Sequence, residues 1–259
     1  MFKSVFMVTL LATSLAVSAQ TAEEKGLQIA KDGKAYDKGF VDFTADMVMT
    51  LHSKNGQKSV RTIRIKTLEV NGDGDKSLSI FDEPADVKGT AMLTWSHGLE
   101  ADDQWLYLPA IKRVKRINSR NKSGPFMGSE FAFEDLGSQE VEKYHYKYLG
   151  EEACGDWQCY KIERKPAYKY SGYTKQIAWL DKEAYRLSKV DFYDRKGEKM
   201  KSLKSENFQQ YLGHYYRPSK MTMTNHLNGK STVLEWKDYK FKTGLTSRDF
   251  KSQSLKRLR

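Results

Sequence analysis

Several features that define common classes of protein are missing from this sequence. Beyond its N-terminal segment, the chain has no apolar run long enough to span a bilayer as a helix, which takes about 20 residues. It also has no G-x-S-x-G, H-E-x-x-H or Walker sequence, the patterns that mark hydrolases, zinc proteases and phosphate-binding loops. We therefore predict no catalytic residue, no enzyme activity and no cofactor.

Histidine and cysteine are scarce. None of the five histidines stands at metal-ligand spacing from another, so we predict strand-surface positions and no bound metal for His52, His97, His145, His214 and His226. The two cysteines, Cys154 and Cys159, flank a turn-like segment; their spacing is too wide for a C-x-x-C redox motif, and further metal ligands are missing nearby. In an oxidising compartment this pattern predicts a disulfide that closes a hairpin.

The N-terminus has the features of a secretory signal peptide. Lys3 gives a positive start, residues 6–17 form a short apolar run, and Val17-Ser18-Ala19 offers small residues at the cleavage position. We predict cleavage after residues 1–19, because a membrane anchor would need a longer run of about 20 apolar residues. Since no cysteine lies near the cut, we expect an exported, soluble protein without a lipid anchor.

Composition and charge narrow the range of partners. Hydrophobic residues make up 39% of the chain and aromatic residues 12%, which excludes a mainly disordered protein. The net charge of +11 could serve contact with nucleic acid, an anionic membrane surface or an acidic partner. Export argues against nucleic acid, and the charges are spread among strand-like segments.

The periodicity of the chain predicts one helix followed by many strands. Residues 21–35 have the pattern of a short amphipathic helix. From Val41 to Leu51 the odd positions are apolar and the even positions mostly polar, which indicates a half-buried strand, and Asn55-Gly56 predicts a hairpin turn. Similar segments predict an all-antiparallel sheet in one domain, residues 20–259. The predicted strands are 41–51, 59–70, 76–82, 89–96, 103–108, 111–117, 143–150, 158–165, 174–181, 185–194, 197–205, 214–226 and 230–241.

Residues 118–140 break this rhythm and predict a long loop with a short helical piece. So many strands in one sheet must curl or close. We predict that one face of the sheet is polar, and that the other either fills a core against helices or lines an apolar cavity. The apolar face carries Met47, Met49, Leu51, Ile63, Ile65, Trp95, Trp179 and Trp236.

Two pairs of adjacent carboxylates, Asp102-Asp103 and Glu134-Asp135, are candidates for acid–base chemistry. Neighbouring residues on a strand face opposite sides, so such a pair cannot act together on one bond. The preference of aspartate for turns favours turn and cap roles instead.

An aromatic and basic segment spans residues 105–117. One strand carries Trp105 and Tyr107, a proline turn follows, and the next strand alternates basic with apolar residues. The basic side chains either contact anionic head groups or an acidic partner, or face solvent on an exposed strand. They are Lys112, Arg113, Lys115 and Arg116.

Several short motifs carry a family resemblance. They are WLYLP at 105–109, KRVKRI at 112–117, FMGSEF at 126–131, EDL at 134–136, TGL at 243–245 and Phe250. Through them the chain resembles the outer-membrane lipoprotein-sorting protein family, the LolA/LolB-like periplasmic proteins, in the version often found beside RND-type exporters.

The resemblance implies a fold and a binding site. The fold would be a strongly curved antiparallel half-barrel of about eleven strands, with short helices forming a lid over a concave apolar face that holds acyl chains. We expect segment 118–140 to move as part of the lid. The resemblance also implies a concave-face arginine, which the sequence does not locate. Further cavity or lid residues would be Trp105, Tyr107, Phe126, Met127, Phe131 and Phe133.

Three functions follow as hypotheses. The first, implied by the resemblance, is a periplasmic carrier of lipids or lipoproteins that touches membranes transiently. The second is a lipid sensor or adaptor that binds an RND-type exporter without moving lipid. The third is an exported enzyme that uses the four adjacent carboxylates. A carrier should exchange labelled lipid between vesicles, whereas an adaptor should bind its partner only.

Overall fold

The computed structural model describes residues 20–258, in which thirteen strands form one antiparallel sheet. The predicted signal peptide, residues 1–19, lies outside the described residues and stays a prediction. The alternating segments of the sequence all became strands. These are β1 (Asp42–His52), β2 (Lys58–Leu68), β3 (Lys76–Glu83), β4 (Ala91–Trp95), β5 (Asp103–Leu108), β6 (Arg113–Arg116), β7 (Tyr144–Cys154), β8 (Trp157–Pro166), β9 (Lys175–Asp181), β10 (Leu187–Tyr193), β11 (Lys199–Tyr211), β12 (Tyr215–Asn225) and β13 (Ser231–Phe241).

The strand order is β6-β5-β4-β3-β2-β1-β13-β12-β11-β10-β9-β8-β7. Two meanders of consecutive strands therefore meet where β1 pairs with β13. The sheet does not close, because β6 and β7 lie at opposite edges and do not pair with each other. The predicted mostly-β half-barrel is confirmed, but its thirteen strands exceed the eleven that the family resemblance implied.

Local sequence explains the β1–β2 hairpin well. Gly56 takes φ +84° in the turn, a conformation that glycine adopts without the steric penalty of a Cβ atom. The turn sets a register in which Met47 faces Ile63 across the pair. Because side chains alternate between faces, this register places the odd-numbered apolar residues of both strands on one surface.

The predicted N-terminal helix is confirmed as α1 (Ala22–Asp37). Thr21 caps it: the hydroxyl accepts a hydrogen bond from the Glu24 amide, and the Glu24 carboxylate accepts one from the Thr21 amide. The helix packs against β7 at Gly26, where an added Cβ would lie 2.8 Å from the carbonyl carbon of Lys147. Only glycine allows the helix to approach the strand this closely.

Residues 117–143 join β6 to β7 and so connect the two edges of the sheet. We call them the crossing segment, because they pass over the concave face on the way. The segment contains short 3₁₀ turns in place of the predicted helical piece, at Ser119–Asn121, Phe126–Gly128, Phe133–Leu136 and Val141–Lys143. The side chains of Phe126 and Phe131 are buried in the main apolar core against the concave strands.

The prediction of a polar second face is wrong for strands β3 to β5. The C-terminal 3₁₀ turns Ser247–Phe250 and Ser252–Arg257 cover that face and bury Phe250 and Leu255 against it. The indole Nε1 of Trp95 donates a 2.8 Å hydrogen bond to the Phe250 carbonyl oxygen, which helps to fix the covering segment. These strands are therefore buried on both sides.

The predicted disulfide is confirmed at the β7–β8 hairpin. It joins Cys154 to Cys159, whose Cα atoms lie 5.9 Å apart. Nothing helical between residues 20 and 258 has both the length and the apolarity to cross a membrane.

Candidate ligand-binding cavity

A cavity of about 510 Å³ lies on the concave face beneath α1. One wall comes from α1, another from strands of the sheet, and a third from residues 137–141 of the crossing segment. Volumes of about 300–1,000 Å³ are typical of pockets that hold small organic ligands. Its lining includes Ala30, Gly33, Phe40, Phe43, Ile65, Val141, Tyr146, Ile162, Leu180, Ala184, Leu187, Phe208, Met221, Trp236 and Tyr239.

The cavity wall is mainly apolar and aromatic. Burial raises the pKa of Tyr146 and of Tyr239 above the ordinary tyrosine value, so both phenols stay neutral at physiological pH. The flexible side chain of Met221 can adapt to apolar ligands, and the aromatic rings offer them large apolar surfaces. The wall therefore suits a hydrocarbon chain better than a polar metabolite.

Charged residues also reach the cavity, and most of its cations are paired. Lys34 Nζ lies 2.9 Å from Glu140 Oε1, and Arg217 Nη1 lies 2.7 Å from Asp37 Oδ1. Arg186 donates two hydrogen bonds, 2.8 and 3.0 Å long, to the buried carboxylate of a β9 residue, Asp181. These pairs fasten α1 and the cavity rim.

Asp75 is a cavity-lining acid with an unusual environment. Burial raises its pKa to about 6, against the opposing attraction of Lys34. Its amide also donates a 3.2 Å hydrogen bond to Ser138 Oγ of the crossing segment. Asp75 therefore changes charge near neutral pH at a place where α1, the sheet and the crossing segment meet.

The structure divides the predicted cavity residues among three places. Ile65 and Trp236 line the cavity itself. A second group lies on the same concave face but inside a packed core, where strand residues meet side chains of the crossing segment. This group consists of Met47, Met49, Leu51, Ile63, Phe126, Met127, Phe131 and Phe133.

The third group, Trp95, Trp105, Tyr107 and Trp179, lies on the opposite face of the sheet. Trp95 and Trp105 pack edge to face at 5.0 Å beneath the C-terminal turns, and Trp179 packs beside the disulfide. These four residues were predicted to face the cavity, but side chains alternate between the two faces of a strand. On the same strands, Met92, Leu106 and Ala178 have the opposite parity and belong to the concave core. These tryptophans do not reach the cavity.

We call the packed core around Phe126 the filled region. The Phe126 ring lies 5.9 Å from the Phe81 ring and 5.7 Å from the Phe133 ring, and its exposed fraction is 2%. Buried polar contacts hold the crossing segment there. Lys201 Nζ donates to the Glu130 carbonyl oxygen at 2.8 Å and lies 3.2 Å from Asp135 Oδ2.

The adjacent carboxylates serve this fastening. Glu134 accepts hydrogen bonds from Tyr168, Ser171 and the Gly172 amide at 2.7 to 2.9 Å, and burial raises its pKa. The Tyr173 hydroxyl donates to Asp135 at 2.9 Å.

Glu134 also lines a second, smaller cavity of about 370 Å³, together with Asp102, which is paired with the buried Lys143. Asp103 is paired with the exposed Arg116 instead.

Arg61 on β2 is one of the arginines on the concave face, and it contacts the crossing segment. Its Nη1 donates a 2.5 Å hydrogen bond to the carbonyl oxygen of Met127 in the crossing segment. Its guanidinium also lies 6.0 Å from the Phe81 ring, and burial lowers its pKa. The signal was present in the sequence, since Arg61 shares the odd parity of Ile63 and Ile65.

The predicted basic residues lie on edge strand β6 and the turn before it, away from the cavity. Their side chains are exposed, so the structure leaves their contacts to solvent or a partner as a prediction. They are Lys112, Arg113, Lys115 and Arg116. Across the chain from residue 20 to 258, no cluster of three or more His, Cys, Asp or Glu side chains could hold a metal ion.

Sheet, covering segments and cavity together define a LolA-like half-barrel. A family model described as that of an uncharacterized protein matches residues 73–257. A domain described as an outer membrane lipoprotein-sorting protein, from Vibrio parahaemolyticus, has 56% identity and a TM-score of 0.89, covering 90% of this chain and 99% of that one. The chain belongs to this outer-membrane lipoprotein-sorting family.

Two other solved structures share the fold. A DUF1329 family protein from Desulfovibrio piger has 29% identity and a TM-score of 0.86, covering 91% of this chain and 99% of that one. A LolA superfamily protein from Nitrosomonas europaea has 22% identity and a TM-score of 0.70, covering 90% and 98%. No protein with a curated description matches the chain.

Proposed function

We propose that the protein carries lipids or lipoproteins through the periplasm by holding acyl chains in the cavity beneath α1. The cavity of about 510 Å³ with mainly apolar walls is the observation that carries this proposal. Membership of the lipoprotein-sorting family supports it, and the N-terminal sequence supports export. The function is physical transfer rather than a chemical reaction.

The energetics suit reversible binding. Each methylene removed from water contributes about 0.8 kcal/mol, so about ten buried methylenes contribute about 8 kcal/mol. Before the entropy cost of binding, that corresponds to a dissociation constant on the order of 1 µM. One chain can therefore be held in transit and still be released to an acceptor membrane.

We propose that α1 is the element that opens. Its buried residues are Gly26 and Ile29, and its ion pairs through Lys34 and Asp37 are partly exposed. The crossing segment is instead anchored by the buried Phe126 ring and the buried contacts of Lys201. Less apolar area must be uncovered to lift α1, so its opening costs less.

A cavity-filling variant tests the proposal. Ala30 lines the cavity from α1, whereas the next residue, Lys31, is exposed on the helix. We expect Ala30→Trp to reduce lipid co-purification and binding of a fluorescent fatty acid at least about tenfold, because the indole occupies the ligand volume. Lys31→Trp should bind like the wild type. Organic extraction with mass spectrometry and a fluorescence titration measure both.

Transfer between vesicles separates the carrier from the sensor or adaptor. A carrier moves labelled lipid from donor to acceptor vesicles at a rate that rises with protein concentration, and Ala30→Trp should abolish the rise. Binding of lipid without transfer would favour the adaptor. The predicted RND-type exporter partner stays a prediction, and the carrier proposal does not depend on it.

A further inference from the structure

Arg164 on β8 differs from the other cations that line the cavity. It is 7% exposed and shares the concave parity of Ile162, which belongs to the main core. No carboxylate of residues 20–258 lies within 4.0 Å of its guanidinium, whereas Lys34, Arg186 and Arg217 each have one. The buried Nε of Arg164 also lacks a hydrogen-bond partner in the described chain.

The contacts that Arg164 does make are to neutral groups. Its Nη1 donates a 3.0 Å hydrogen bond to Gln139 Oε1, and its guanidinium lies 5.4 Å from the Tyr144 ring. Both Arg164 and Glu134 act electrostatically on Tyr144. The carboxylate of Glu134, however, accepts hydrogen bonds from Tyr168, Ser171 and the Gly172 amide. The positive charge of Arg164 is therefore left without a protein anion at close range.

A buried charge without a counter-charge is costly, because the protein interior solvates it less well than water. Arginine presents parallel N–H donors that match the oxygens of a carboxylate or a phosphate. In Arg164 the unpartnered Nε–H is one of these donors. The residue lines a mainly apolar cavity whose other cations, Lys34, Arg186 and Arg217, each have a carboxylate partner. An apolar cavity with one unneutralised guanidinium matches an amphiphile with an anionic end.

We propose that Arg164 binds the anionic head group of the ligand, so that the carried molecule is an acidic amphiphile such as a fatty acid or a lipid phosphate monoester. This inference rests on the proposed function, since it assumes that an acyl chain occupies the cavity. It narrows the ligand, because a neutral acylglycerol end would leave the guanidinium without a counter-charge.

The test compares matched ligands on the full protein without its signal peptide, at pH 8. The probes are oleate, oleoyl lysophosphatidate, and the neutral methyl oleate and oleoylglycerol, each displacing a fluorescent fatty alcohol. We expect the wild type to bind at least one anionic probe about tenfold or more tightly than the neutral ones, as expected for a charged hydrogen bond in a buried site. A preference for oleate alone or for the phosphate alone identifies the head group.

Variants assign the preference to Arg164. Arg164→Met should remove the preference and change methyl oleate affinity by less than about twofold, while Arg164→Lys should keep part of it. The control is Lys165→Met, which removes one positive charge from the next position on β8, exposed on the other face. It should keep the full preference.

A further readout separates ligand binding from a structural role. If Arg164 serves a ligand, Arg164→Met removes an uncompensated buried charge, and the ligand-free protein should melt at the same temperature or higher. A lower melting temperature together with an intact preference for anionic probes would overturn the proposal. Equal binding of anionic and neutral probes by the wild type would also overturn it while leaving the carrier function standing. Failure of every probe, including the fluorescent fatty alcohol, to bind would overturn both.

Discussion

Around Phe126 the concave face is packed with aromatic rings, whereas around Ile65 and Trp236 the same face surrounds a cavity. The strands that form both places show the same alternation of apolar and polar residues. What differs is the covering segment. The crossing segment inserts phenylalanine side chains into the core and is held there by buried polar contacts. In α1, by contrast, only Gly26 and Ile29 are buried.

The comparison shows that an apolar strand face does not by itself make a binding site. In the filled region, side chains of the chain itself occupy the space that a ligand would take. Beneath α1 the helix lines the cavity with Ala30, Gly33 and the longer Lys34 and Tyr36, but it buries no aromatic ring. Whether the covering segment inserts buried rings thus decides which part of the concave face stays available.

The largest expected difference between the two regions is in the cost of removing a ring. Phe126→Ala should lower the free energy of unfolding by about 3–5 kcal/mol, because it leaves a void in a packed core. Phe208→Ala, at the cavity wall, should cost about 1 kcal/mol, since that ring already borders open space. Urea unfolding of both variants measures the contrast. Equal costs would mean that the cavity is as tightly packed as the core.

A smaller effect is expected where α1 meets β7. Gly26→Ala places a methyl group against the Lys147 backbone and should destabilise the protein by about 1–3 kcal/mol. At the exposed helix position Gln28, substitution by alanine should change stability by less than about 0.5 kcal/mol. A second measurement on Gly26→Ala is amide hydrogen exchange. If the variant displaces α1 alone, exchange should become faster in α1 and β7 and stay slow in the crossing segment. Uniform loss of protection would show that the two covers are not independent.

The smallest expected effect is the pH dependence at Asp75. Its folded pKa of about 6 lies above the unfolded value, so the folded state binds more protons between those two values. The protonated acid therefore stabilises the protein below about pH 4, and this contribution is lost as the pH rises through 6. The groups acting on it are Lys34, Glu69 and Glu140.

Asp75→Asn should remove this dependence. Relative to the wild type, the variant should gain stability on the order of 1 kcal/mol above pH 7 and lose the advantage near pH 4. Thermal melts of both proteins from pH 4 to 8 measure the difference. A pH-independent difference would show that Asp75 does not titrate in this range. Ionisable groups that do not interact with Asp75 contribute equally to both proteins and cancel.

Much of the fold was predictable, because alternation of apolar residues is a local signal. It located α1 and all the strands, and it placed Met47 and Ile63 on one face correctly. The signal fails where both faces are buried: β4 alternates little, since Trp95 packs under the C-terminal turns and Met92 packs in the concave core. No local pattern shows which distant segment covers a strand.

The candidate site was harder to predict than the fold. Ile65 and Trp236 were expected at the cavity, but the tyrosines of its wall look in the sequence like ordinary strand residues. Arg164 shares the strand KIERKP with two lysines, and its burial depends on where Gln139 of the crossing segment lies. Whether a cation is paired is a property of the assembled molecule.

The open edges of the sheet have a consequence for behaviour at high concentration. Free backbone groups on an edge strand can pair with a strand of another molecule and start aggregation. Strand β6 is four residues long and three of them, Arg113, Lys115 and Arg116, are basic, which discourages such pairing. The other edge, β7, is instead packed against α1. If α1 lifts to admit a ligand, as proposed, it would also expose the β7 edge, so the same movement would raise the risk of self-association.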